Sequence, residues 1–425
     1  MSQKEMAMNQ EITVKFGIDT VVNGELTGIR VDELNIWSSH FQAIPEDLRD
    51  TFETFINSRT KGFLGRQFIF EELDAFIAQR ESGYFIIQGK PGIGKSALMA
   101  HLVKRRGYIH HFNIALQAIN KPEYFLSSVC AQLIALFELD YSAVPNDAYK
   151  SGVFLNQLLA KAGKKLKLDE RLVIAIDALD EVDGALPTTA NILYLPEDLP
   201  GGVFIVVTSR PKYRLPLRVT NSREVELKAD SESNEKDVRV YIKSHLADKQ
   251  MQQHLSDWKV TGEEFTEAML KKSEGYFMYL RHVLPAIKAG RFVHGKLDEL
   301  PRGLKEYYHE HWKQMQAEHP NFDKFYKPVV CILAVVKEAV SVNLVAAYTE
   351  LDPDQVLRAI REWYEFLDEY KIKGTVPMYT IYHATFQKFL KEEIDPDLRT
   401  YNSMINRYYK KMLKRKLSEQ DGESL

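Results

Sequence analysis

The sequence predicts an α/β fold: a parallel sheet carrying a phosphate-binding loop, followed by a helical domain and a winged-helix domain. Three observations predict the sheet. Gly89-Lys90-Pro91-Gly92-Ile93-Gly94-Lys95-Ser96 fits the Gly-x-x-x-x-Gly-Lys-Ser pattern. It lies between an apolar run at 84–87 and a helical pattern of Leu98, Leu102 and Val103 that Gly107 closes. Residues 172–176 then run apolar without a break into Asp177, as a parallel strand buried on both faces does. Residues 203–207 do the same and end in Thr208-Ser209-Arg210-Pro211.

The elements follow in order. Ile12, Val14 and Phe16 alternate with polar residues, and Asn23-Gly24 between two apolar runs signals a hairpin. Leu48, Phe52, Phe55 and Ile56 line one side of a helix opened near Pro45. These residues, 1–61, form a small α+β segment or the start of the next domain, with no legible role. A nucleotide-binding unit spans 62–230. It starts with an amphipathic helix bearing Phe70, Leu73, Phe76 and Ile77, and it adds a strand at 108–114, helices from Pro122 and over 154–162, and a fifth strand at 224–227. Residues 231–318 read as all-helical. In 319–396, helices at 329–336 and 354–366 precede the turn Gly374-Thr375-Val376-Pro377, a strand at 378–382 and a last helix, which suggests a winged helix. Residues 397–425 form a helix over 403–417 with Arg407, Lys410, Lys411, Lys414, Arg415 and Lys416, then a polar tail expected to be disordered.

The chemistry concentrates at the sheet. In the loop Gly89, Lys90, Pro91, Gly92, Ile93, Gly94, Lys95, Ser96 and Ala97, backbone N–H groups and a helix N-terminus suit phosphate oxygens. Lys95 reaches the outer phosphates, and the Ser96 hydroxyl is a magnesium ligand. Asp177, at the edge where ligands bind such sheets, is the second magnesium residue, through a water. Asp180 and Glu181 are both candidates to orient or deprotonate an attacking water. Arg210 is placed to sense a terminal phosphate, and Arg66, after Gly65, to approach base or phosphates. The competing reading of each is plain: a glycine turn, solvated carboxylates, a surface arginine.

Bulk properties narrow the field. The 425 residues exceed one compact domain, and the net charge of −3 gives no whole-chain argument for nucleic acid or anionic membrane. Cys130 and Cys331 fit no metal or redox spacing and suit the reducing cytosol. The longest apolar run, 329–336, is too short to span a bilayer, the N-terminus lacks the apolar core of a signal peptide, and there are no repeats. A cytoplasmic protein is expected.

This order of motifs resembles the NACHT branch of STAND-class P-loop NTPases, over roughly residues 65–390. Gly65-Arg66, the loop at 89–96, Asp177-Ala178-Leu179-Asp180-Glu181 and Thr208-Ser209-Arg210-Pro211 resemble its arginine ahead of the nucleotide strand, Walker A, extended Walker B and sensor 1. Residues 275–280 resemble the helical segment near the adenine, and 383–390 the winged-helix His–Ser–Phe segment. The resemblance implies an ASCE/AAA+-like sheet and a switch using ATP/ADP and Mg2+. The chain would close on ADP through His383, open and self-associate on ATP, and reset by slow hydrolysis. Phe277 stands where many relatives have proline, and Thr385 replaces the commoner serine. Members usually carry an effector domain and sensor repeats that these residues lack, so a truncated or unusual member is expected. The activating ligand and signalling partner are not legible. Two other readings stay open: a DNA-binding replication-initiator ATPase using the winged helix and basic helix, and a nucleotide-binding scaffold that never hydrolyses.

Overall fold

The computed structural model describes residues 18–22, 25–27, 39–183, 190–211, 216–291, 297–370 and 376–422. Its centre is a sheet built on five parallel strands: β3 (Gly83–Gly89), β4 (Ile109–Phe112), β5 (Glu170–Asp177), β6 (Val203–Ser209) and β7 (Ser222–Leu227). They lie in the order β4-β5-β6-β3-β7. The phosphate-loop strand is therefore flanked on both sides, which fits the apolar character of its residues. Alternate residues feed two cores. Phe85, Ile87, Val173, Ala175, Phe204 and Val206 face helices Glu46–Thr60, Gln67–Gln79 and Lys95–Arg106. Tyr84, Ile86, Ile174, Ile176, Ile205 and Val207 face helices Pro122–Leu136 and Val153–Lys165.

Of the two readings open for the N-terminal segment, the pairing of its strands favours the start of the nucleotide-binding unit. Its hairpin, β1 (Ile18–Val22) and β2 (Glu25–Thr27), joins the central sheet, with β1 antiparallel to the first half of β5. The helix Glu46–Thr60 packs on the phosphate-loop helix, and Lys104 Nζ donates to Asn57 Oδ1 at 3.2 Å. The strand expected around Ile12, Val14 and Phe16, and the Asn23-Gly24 turn, lie outside the described residues.

Beyond β7, helices Glu232–Leu246, Lys249–Asp257, Gly262–Ser273, Phe277–Lys288 and Gly303–Glu318 form the helical region. A unit with a three-stranded antiparallel sheet follows, its strands β8 (Val340–Ser341), β9 (Leu367–Tyr370) and β10 (Met378–Ile381) ordered β8-β10-β9. Residues 371–375, with the first two residues of the expected turn, lie outside the described residues. The two regions share one apolar cluster, from Val238 through Tyr307, Trp312 and Ile332 to Trp363, Phe386 and Tyr401. The last helix runs Arg399–Gly422, longer at both ends than the sequence reading, and takes in residues expected to be a disordered tail. Among the described residues no helix is long and apolar enough to cross a membrane.

Candidate functional site

The C-terminal ends of β3, β5 and β6 meet at one edge. Gln88 pairs with Ser209 and Ile176 with Val207, so the phosphate loop, Asp177 and Thr208 are neighbours. Gly92 and Gly94 take φ of +82° and +103°, a region L-residues with a Cβ rarely adopt. A Cβ on Gly92 would also meet Met278 Cβ at 3.3 Å. Gly94 caps the helix Lys95–Arg106, whose unpaired N–H groups face the loop.

Lys95 Nζ donates to the Gly89 carbonyl at 2.6 Å, drawn back along the loop. Burial lowers its pKa, against the charges of Asp177 and Asp180. Asp177 is 1 % exposed and accepts from the hydroxyls of Thr208 and Ser96. Burial nevertheless holds its carboxyl above the usual range. A buried carboxylate touching a serine hydroxyl fits a divalent cation, whose charge would supply what burial removes.

The other two acids are already engaged. Asp180 accepts from the Arg210 backbone N–H at 3.0 Å and pairs with Arg210 Nε at 2.7 Å. Glu181 accepts from the Ala115 N–H at 3.0 Å, and burial pushes its pKa up to about 7. Arg66 is 2 % exposed and left-handed at φ +66°. Its guanidinium donates to the Ile93 carbonyl at 2.5 Å and to Asn234 Oδ1 at 2.9 Å, and it lies 4.8 Å from the Phe277 ring centre. Arg66 thus ties the loop to the helical region while also lining the cleft beside it. Met278 reinforces that tie, its N–H donating to the Gly92 carbonyl at 3.2 Å.

These groups line a cleft of about 1380 Å³, counting its solvent-facing mouth. Pro91 to Ala97, Asp177, Asp180, Glu181 and Arg210 are among the lining residues, whereas Gly89 and Lys90 are not. His383 comes from the strand-bearing unit and lines the same cleft. Its Nδ1 accepts from the Thr385 N–H at 3.2 Å, so the neutral ring carries its proton on Nε2. Burial, then the charge of Arg59, lowers its pKa to about 3. The sequence reading missed Asn113, Gln117, Arg281, Asp368 and Tyr382, which also line the cleft. No local pattern marks them, because the fold brings them together from distant segments.

Residues 68–210 match the model of the family described as "Nephrocystin 3, N-terminal". No curated protein matches the chain. Among solved structures, a STAND protein with a tetratricopeptide repeat sensor from Pyrococcus horikoshii is 16 % identical with a TM-score of 0.46. That alignment covers 83 % of this chain and 46 % of the archaeal one, so the chain spans less than half of its neighbour's length. Two RuvB mutants from Thermotoga maritima are each 14 % identical, with TM-scores of 0.28 and 0.29. They cover 78 % and 80 % of this chain and 96 % and 99 % of their own. The phosphate loop seated in its parallel sheet, with the family match running across it, is the arrangement of a P-loop nucleotide-binding fold.

Proposed function

We propose that this chain is a cytoplasmic nucleotide-gated switch that closes on ADP, opens and self-associates on ATP, and resets by slow hydrolysis. One observation carries the reading: His383, from a unit remote in sequence, faces the same cleft as the phosphate loop. In this reading residues 62–230 are the nucleotide-binding domain, 231–318 the helical domain and 319–396 a winged-helix domain. The Nε2–H of His383 donates to a diphosphate and holds the last domain down. Lys95 leaves the Gly89 carbonyl for the outer phosphates, as a charge-assisted bond is stronger than its present one. A third phosphate draws Arg210 from Asp180 and displaces His383. Moving such a balance from mostly closed to mostly open takes about 5.5 kcal/mol of differential affinity.

Ser96 and Asp177 would hold magnesium, which neutralises phosphate charge when bound. Glu181, titrating near neutrality, takes the proton of the attacking water once it gives up the Ala115 N–H. The test is calorimetry with ATP and ADP, each with magnesium, alongside mass spectrometry of nucleotide released from purified protein. Wild type is expected to bind both, and Lys95→Ala to lose at least about a hundredfold in affinity. A wild-type protein that carries no nucleotide and takes up neither would end the reading.

A further inference from the structure

Arg59, at the end of the helix Glu46–Thr60, belongs to none of the nucleotide motifs, yet it lines the cleft where three regions meet. Its side chain is 9 % exposed and that of its partner Asp368, on β9, 7 %. Nη1 and Nη2 donate to the two carboxylate oxygens of Asp368 at 3.4 and 3.2 Å. Nη2 also donates to the Tyr382 carbonyl at 2.8 Å. The guanidinium lies 3.6 Å from the centre of the Tyr382 ring, and Arg281 of the helical region lies 4.1 Å from it. Arg281 Nη1 reaches back to the Ser58 carbonyl at 3.3 Å. A guanidinium is suited to this, because its planar fork serves a carboxylate, a carbonyl and an aromatic face together.

The carbonyl that Arg59 holds belongs to the peptide joining Tyr382 to His383. On the other side of the imidazole, Nδ1 is held by Thr385, whose hydroxyl meets Tyr308 Oη at 3.0 Å. The ring is therefore fixed from both directions. The anchor on Arg59's side is the helix packed on the phosphate-loop helix, with Phe52 and Phe55 against Phe112.

We propose that Arg59 is a positioning residue for His383. It references the imidazole to the phosphate-loop helix, and so sets the preference for diphosphate over triphosphate from outside the nucleotide motifs. The inference rests on the role given to His383 above. A residue acting this way changes the ratio of ADP to ATP affinity, whereas one that merely supports the cleft changes both alike.

The experiment measures ADP and ATP affinity by calorimetry, with magnesium, in wild type, His383→Ala, Arg59→Gln, Arg59→Lys and Arg59→Gln/His383→Ala. Arg59→Gln is expected to weaken ADP about tenfold and leave ATP within about twofold, with no further loss in the double variant. Arg59→Lys keeps the charge opposite Asp368, and with it the fold, but cannot fork to the Tyr382 carbonyl. It is expected to shift the ratio in the same direction by a smaller factor. If Arg59→Lys and Arg59→Gln leave the ratio at the wild-type value while His383→Ala collapses it, this proposal fails and the switch reading stands. If His383→Ala itself leaves the ratio unchanged, the reading beneath it fails too.

Discussion

Glu181 shows how a single carboxyl is prepared by its surroundings. It is half-buried at the end of a short turn and steadied by one backbone N–H, and desolvation raises its pKa to about 7. A base of that kind works in the deprotonated form, so hydrolysis is expected to rise with pH through about 7 and level off above it. Phosphate release between about pH 5.5 and 8.5 checks this. Glu181→Gln should remove the rise and slow turnover by about a hundredfold. Asp180 was an equal candidate from the sequence. Its two oxygens are taken up by Arg210, so in the proposed switch it holds the phosphate sensor and leaves the proton to Glu181.

The helix Glu46–Thr60 has a place that its sequence hinted at only through apolar spacing. Phe52 is fully buried, its ring 5.4 Å from His111 and 5.6 Å from Phe112. Phe52→Ala is expected to cost about 3–5 kcal/mol, read as a lower denaturation midpoint, by removing the edge-on ring contacts that seat the helix on β4. The strands were readable because continuous apolar runs ending in polar residues have one good home, the middle of a parallel sheet. The phosphate loop was readable for a related reason: its glycines meet a backbone demand that is local to the sequence. Arg59, Asp368 and Tyr382 were not readable. Their contacts join segments some three hundred residues apart, and no spacing within one element encodes them. The role of the N-terminal segment was hidden likewise, since pairing of β1 with β5 depends on a strand formed much later in the chain.

At the scale of the whole molecule, several histidines are folded in neutral form. Burial lowers the pKa of His40, His110, His282 and His311 to about 4 and of His111 and His383 to about 3. An unfolded histidine titrates near 6.5, so below that pH the unfolded chain binds more protons and is favoured. The stability these groups contribute is whole above about pH 6.5 and drains away as the pH falls toward 4. Asp177, Glu181, Asp237, Glu310 and Asp368, raised by burial, act in the opposite sense but are fewer. The thermal midpoint is therefore expected to be markedly lower at pH 5 than at pH 7.5, and a flat profile would contradict this arrangement. The apolar cluster that runs unbroken from Val238 to Tyr401 has a different consequence. A chain cut near residue 318 would not come apart there. The helices before the cut and the small sheet after it would stay stuck together and melt as one block, leaving the nucleotide sheet as the other.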